Sequence, residues 1–550
     1  MQLPLSVRPQ FSTDGRWLGV ELDGAQARLL ETTSSSEYRT IVSSLGAGKG
    51  GYHYGDISHD GRLLALGMDD GTRLWDLHSG RELATLPGDS RTVCFNRIGQ
   101  QWELLTSTSA GLLRWPAKNG DPHTVRDGQL LRLGPPRKLS SLYRADFARS
   151  TEGGTLTAIY EPTTPIQILD LQREVVRQDL DLHPNGDGLH ALSADGRWLA
   201  SCGWHSDQVR LWNARNGMMV HEWNLGERAA VFFTPDSRIL VISRGDEYSF
   251  WDVDSWQPIR RLHRDVADYP GYVAFAPDGR LMALEMAPAV IHLKEVATGR
   301  TIAKLADPHG DRATWLAFTP DGTQLVAAAK FARAIHLWDL RNIRRQLKTL
   351  GLDWDWPEFA PTIPDAGLSL KIQVDAGELG ASLHARALER QAHDHLQFQQ
   401  WDQAVAAYAK AIELEPQSAR AMNSLAWLLA TCPDNRARDP GRALEWARKA
   451  VELQPNEGNY RNTLGVAHYR AGAWNDAIAA LTKSNELSHG GDSFDWFFLA
   501  MGHWKLDQKE QARKWYDQAV QWMEKNAPLH EELLRFRAEA AELLAIKSKR

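Results

Sequence analysis

Two hydrophobic rhythms divide this chain. Up to about residue 350, short runs alternate apolar and polar positions behind a polar turn: FSTDGRWLGV at 11, ISHDGRLLAL at 57, LSADGRWLAS at 192, FFTPDSRILV at 232, AFAPDGRLMA at 274 and AFTPDGTQLV at 317. Alternation with period two predicts half-buried strands, and the D-G or D-S step is the tight turn that feeds them. A second landmark follows each: RLWDLHSG at 73, RLWNARNG at 210, FWDVDSW at 250, HLKEVATG at 292 and HLWDLRN at 336. From Asp195 onward the turn aspartates recur at 41, 42 and 43 residues. Weaker units stand at 113–116 and 168–170, and 28–31 completes the first. The count is eight units, one or two of them degenerate.

The rhythm then changes. Between residues 351 and 378 the strand pattern stops, and Pro and Trp mark a linker. From Leu379 the apolar positions recur at helical spacing, in four segments of which two end at Pro416 and Pro455. Small residues where paired helices touch, Ala404, Ala443, Ala477 and Ala512, stand 39, 34 and 35 residues apart. The 39 is one 34-residue period plus an insertion at 432–439. Asp439-Pro440 then restarts a helix, with an N-cap aspartate and proline at the first helical position. Residues 526–550 predict one more helix with a polar face, as a terminal cap requires.

The first region resembles WD40 repeats, whose period of about 40–45 residues builds one four-stranded propeller blade. The resemblance covers roughly residues 1 to 350 and implies an all-β propeller of seven or eight blades. It places Trp75, Trp212, Trp251 and Trp338 at the end of each third strand. It also implies a hydrogen-bonded set of His183, Ser201, Asp207 and Trp212 in one blade. The second region, 379–525, resembles four tetratricopeptide repeats, an all-α solenoid. Together the two arrays look like the C-terminal part of large bacterial serine/threonine kinases.

Tetratricopeptide stacks take extended peptides in a groove lined by the first helix of each pair. Carried onto this chain, the resemblance places Arg386 and His393 there, then Arg420, Asn423 and Trp427, then Asn459, Asn462 and Tyr469, then Phe497, Met501 and Trp504. Asn423 and Asn462 correspond to asparagines that clamp a peptide main chain, since an amide both donates and accepts. Glu389 and Thr463 stand where chaperone-binding members carry basic residues, which argues against capture of a terminal carboxylate.

Composition narrows the function classes. A net charge of −6 over 550 residues gives no sign of nucleic-acid binding. Cys94, Cys202 and Cys432 lie far apart and form neither a metal knuckle nor a disulfide framework. His393, His468 and His503 share no metal-ligand spacing, so no metal or other cofactor is expected. The glycine-rich stretch SSLGAGKGGYHYG at 43 fails as a phosphate loop, because Ser43 replaces the first glycine and Gly50 the magnesium-binding hydroxyl. It reads as a connection between strands. LHRDVADYPG at 262 fails as a kinase catalytic loop, with Pro270 where the asparagine belongs. The basic run at 341–348 reads as a solvated outer strand. No stretch approaches the 18 apolar residues of a membrane span, and a basic, apolar leader is missing from the first residues.

The expected function is a non-catalytic interaction scaffold with protein or peptide partners, a serine/threonine kinase among them. The expected location is cytoplasmic, or extracytoplasmic if the chain belongs to a membrane-anchored kinase. Two alternatives stand beside it: the sensory half of a split kinase, and an enzyme with its site in the propeller channel.

Overall fold

The computed structural model describes residues 10–11, 17–22, 26–31, 37–42 and 52–546, apart from 99–100, 119–129, 143, 150–154, 161–163, 181–188, 204–206, 266, 268, 308–309, 311, 330–333, 355, 360–369 and 489. His183 and the glycine-rich loop at 46–51 lie outside these residues. The chain forms two compact units, Met1–Leu379 and Gly380–Arg550.

The first unit is a β-propeller with seven blades. Blades 1 to 6 occupy 52–86, 92–140, 144–180, 190–224, 230–263 and 273–306; each is an antiparallel four-stranded sheet except blade 2, whose sheet has six strands and takes in Lys371–Val374. Blade 7 takes three strands from 313–339 and its outermost strand, Tyr38–Val42, from the beginning of the chain. That pairing closes the ring. Trp315, Val326 and Ile335 of blade 7 share one core cluster with Leu64, Leu66 and Trp75 of blade 1, so no blade stands between them. The first of the eight sequence units instead pairs internally, as a three-stranded sheet of Gln10–Phe11, Trp17–Leu22 and Gln26–Glu31. Its natural fourth strand has been given to blade 7.

The recurrent aspartate turn is a polar latch. In blade 4, the Ser193 hydroxyl donates to Asp195 Oδ1 at 2.6 Å, and the same oxygen accepts from the Arg197 N–H at 3.0 Å. Ser193 Oγ in turn accepts from the Trp198 N–H at 2.9 Å. Ser58 with Asp60, Thr234 with Asp236, and Thr319 with Asp321 repeat it in blades 1, 5 and 7. The residue after the aspartate sits at φ of +65° to +75° where it is glycine in blades 1, 4 and 7, the left-handed region that only glycine enters freely. Blade 5 places Ser237 there, at +61°.

The strand-end tryptophans are core. Trp75, Trp212 and Trp338 are buried, and Trp251 is half-buried. Trp212 Nε1 donates to Ser201 Oγ at 3.0 Å, while the Asp207 side chain is exposed. Blade 2 repeats the indole bond with Trp115 and Thr106, also at 3.0 Å.

The basic run at 341–348 is a helix, not a strand. Helix α1, Leu340–Thr349, starts at Asp339, whose side chain accepts from the Asn342 N–H. The physical reason lies in the ring closure: Tyr38–Val42 already fills the outer-strand position of blade 7. The buried Arg344 is held by Asp353 and by the carbonyls of Trp356 and Pro357. Farther on, Lys371–Val374 runs parallel to Leu130–Leu133 at the edge of blade 2.

The second unit is an α solenoid. Helices α2 (Gly380–Gln397), α3 (Trp401–Leu414), α4 (Ala419–Thr431), α5 (Pro440–Leu453), α6 (Gly458–Arg470), α7 (Trp474–Leu487), α8 (Ser493–Lys505) and α9 (Lys509–Asn526) pack as consecutive pairs. Helix α10 (Glu531–Leu543) follows. Ala404, Ala443, Ala477 and Ala512 are fully buried, as the spacing predicts. Gly465 lets α6 and α7 approach closely: a Cβ there would stand 2.5 Å from Leu481 Cγ. Asp439 caps α5 with Pro440 at its first position.

Candidate functional site

The first helices of the pairs, α4, α6 and α8, lie side by side and leave a groove of about 1470 Å³ within the helical unit. His393, Asn423, Trp427, Asn459 and Asn462 line it. The structure therefore brings together five of the residues that the sequence pointed to. Asn423 is only 7% exposed, and its Oδ1 has no hydrogen-bond donor among the described residues. Asn462 is equally buried but engaged, its Nδ2 donating to Asp495 Oδ1 at 2.8 Å.

The other candidates lie elsewhere. Arg420 pairs with Glu389 at 2.6 Å, and the Ser418 hydroxyl donates to the same carboxylate at 3.2 Å, which ties α4 to α2. Arg386 is half-buried outside the groove lining. Tyr469 packs edge-on against Phe498, and burial pushes its hydroxyl up to about 12. Phe497 and Met501 are fully enclosed, Phe497 against Tyr516 of α9. Trp504 is half-buried beside Lys509. These three offer the groove nothing.

Helix α10 builds the remaining wall. Phe536 meets Trp427, Phe494 and Phe498 edge-on, at centroid distances of 6.1, 6.3 and 4.9 Å. Trp427 Nε1 donates to Glu532 Oε1 at 3.2 Å. Arg470 of α6 grips Glu539 through both guanidinium nitrogens, one bond at 2.7 Å. The last helix thus lies across the first helices rather than only closing the end of the stack.

Burial sets the electrostatics. It pushes the Asp495 carboxyl up to about 6, because the desolvation cost outweighs the hydrogen bond from Asn462. Burial also raises Glu532, against the neighbouring Arg535. Among the described residues, no group of His, Cys, Asp and Glu is placed to hold a metal ion. Among them, too, no helix is long and apolar enough to cross a membrane.

No protein-family model matches the chain. Sequence relatives are distant and partial. A serine-threonine kinase receptor-associated protein of Dictyostelium discoideum is 25% identical over 30% of this chain and 59% of its own length. Pre-mRNA-processing factor 19 homolog 2 of Arabidopsis thaliana is 28% identical over 28% of this chain and 30% of its own. Protein tipD of Dictyostelium discoideum is 23% identical over 46% of this chain and 40% of its own. The chain spans less than two thirds of each of these relatives. The first unit is a seven-bladed β-propeller whose latched aspartate turns and strand-end tryptophans are similar to those of WD40 repeats.

Sequence reasoning missed Asp492, Phe494, Asp495, Leu529 and Glu532. Helix α8 reads SFDWFFLAMGHWK, apolar nearly all round, because α7, α9 and α10 enclose it. Periodicity cannot then say which side faces a groove. The usable signal was the pair of aspartates, Asp492 and Asp495, at the start of so apolar a helix.

Proposed function

We propose that this protein is a non-catalytic scaffold, a WD40-type propeller joined to a tetratricopeptide-type stack whose groove binds an extended peptide. The observation that carries the reading is Asn423: a buried amide oxygen that lines an open groove and has no donor among the described residues. A buried acceptor without a partner costs about 1–3 kcal/mol, and a peptide N–H would relieve it. A second docking face on the propeller is supported by exposed apolar side chains on three successive blades, Val175 and Val176, Met218 to Val220, and Ile259.

Isothermal calorimetry tests the groove on a partner segment recovered by affinity purification and mass spectrometry. Asn423→Ala is expected to weaken binding by about 1–3 kcal/mol. Undiminished affinity would move the site to the propeller. A screen for ATPase, kinase and hydrolase turnover tests the non-catalytic part, and turnover lost on mutating a channel carboxylate would overturn it.

A second reading makes the chain the regulatory half of a serine/threonine kinase in bacterial signalling. Its support is the tandem order of the two arrays, together with a relative named for association with a kinase receptor. A kinase among the purified partners, or encoded beside this chain, is the expected result.

A further inference from the structure

The groove's unmet hydrogen-bonding capacity is all of one kind. Asp492, Asp495, Glu531 and Glu532 line the wall where the starts of α8 and α10 meet. Asp495, 4% exposed, takes its bond from the neutral amide of Asn462. Among the described residues no lysine or arginine pairs with Asp492, Asp495 or Glu531, and Arg535 pairs only with Glu532. The orphaned atom of Asn423 is likewise an acceptor. One acceptor without a donor and three carboxylates without a cation, Asp492, Asp495 and Glu531, call for a ligand that supplies both.

Apolar surface lies beside this wall. Trp427 and Phe494 line the groove, 6.1 Å apart, and Leu529 stands at its rim with 86% exposure. A lysine or arginine stem packs on such surface while its charged head reaches the acids. A carboxylate-bearing segment would meet repulsion at the same place.

We propose that the groove selects an extended segment of a partner protein that carries a lysine or arginine. Its cation sits at the Asp492, Asp495, Glu531 and Glu532 wall, and a main-chain N–H donates to Asn423 Oδ1. This rests on the reading of the groove as a peptide site. The cation would also offset the desolvation that holds the Asp495 carboxyl above its ordinary range.

The test uses the full chain and a phage library of random decapeptides, with enriched peptides remade with a fluorophore. Enrichment of lysine or arginine at one position is expected. Fluorescence anisotropy should show affinity falling on the order of tenfold for Asp495→Asn, an isostere that keeps the Asn462 bond. It should fall less for the exposed Glu531→Gln, which cannot unfold the helix. Neither variant should change affinity for the analogue with norleucine or citrulline in place of the cation. Neutral or acidic winners that depend on Asn423 but not on Asp495 or Glu531 would overturn the charge preference and leave the groove standing. No enrichment, or winners indifferent to Asn423, Asp495 and Glu531 alike, would overturn both.

Discussion

The turns of the propeller and the groove of the helical unit use polar side chains in opposite ways. In the turns, the latch hydroxyl and its aspartate are satisfied within five residues, as with Ser193, Asp195 and the N–H groups of Arg197 and Trp198. The arrangement recurs blade after blade. In the groove, among the described residues, Asn423 has no donor and Asp495 no cation, and their neighbours come from helices dozens of residues apart. Repetition with self-satisfaction is the mark of a structural device. Singular placement with unmet capacity is the mark of a binding site.

The largest expected effect comes from Asp495. Its folded-state pKa, about 6, is raised above the ordinary 3.8, so the folded chain holds the proton more tightly than the unfolded chain. That stabilisation is complete below about pH 4 and is lost as the pH rises through about 6, a span of about 3 kcal/mol at most. Glu389 and Glu532, raised by burial as well, act in the same direction. Hydrogen exchange of α8, corrected for intrinsic rates, should show protection falling between pH 4.5 and 7.5. Asp495→Asn should flatten most of the slope. An unchanged slope would mean that the groove's acids are as well satisfied as those of the turns.

On the propeller side, Asp195→Ala removes a charged acceptor that serves a hydroxyl and an N–H at once. It is expected to cost about 2 kcal/mol, read as a lower melting temperature, with peptide affinity untouched. A loss of affinity without loss of stability would erase the distinction between the two regions.

The legibility of the chain follows the same division. The repeated features could be read from sequence: the aspartate turns, the buried Trp75, Trp212 and Trp338, and the four buried alanines of the helix pairs. Periodicity encodes whatever every repeat needs. It could not show that Tyr38–Val42 crosses to blade 7, because strand order depends on partners about 300 residues away. The misreading of 341–348 followed from that. The groove was half legible: Asn423, Asn462 and Trp427 were found, but α8 is enclosed by three helices and its sequence hides its faces. That α10 contributes Glu532 could not be seen either, since a terminal helix obeys no repeat.

The two asparagines bring the comparison inside the groove. Asn462→Ala removes a donor from the buried Asp495 carboxylate and is expected to destabilise the helical unit by about 1–2 kcal/mol. Asn423→Ala takes away an oxygen that has no donor among the described residues, but also the packing of a buried side chain; the two oppose each other, so stability should move by less than about 0.5 kcal/mol. Urea unfolding of both variants checks this. Equal losses would make Asn423 another self-satisfied residue and remove the main support for the site.

The smallest effect concerns Ser237, the one latched turn without glycine at the left-handed position. A serine at φ +61° carries about 1 kcal/mol of backbone strain. Its hydroxyl, however, accepts from the Asp195 N–H of the neighbouring blade at 3.1 Å, a bond of about 1 kcal/mol. Ser237→Gly relieves the strain and loses the bond, while its freer unfolded chain costs a further fraction. The net change should stay within about 0.5 kcal/mol. Ser237→Ala keeps the strain and loses the bond, so it should cost about 1 kcal/mol against the native chain and be the worse variant. Parallel thermal melts decide the order. If glycine proves worse than alanine, then the strain at this position is smaller than the cost of glycine's freer unfolded chain, and backbone geometry does not govern this turn.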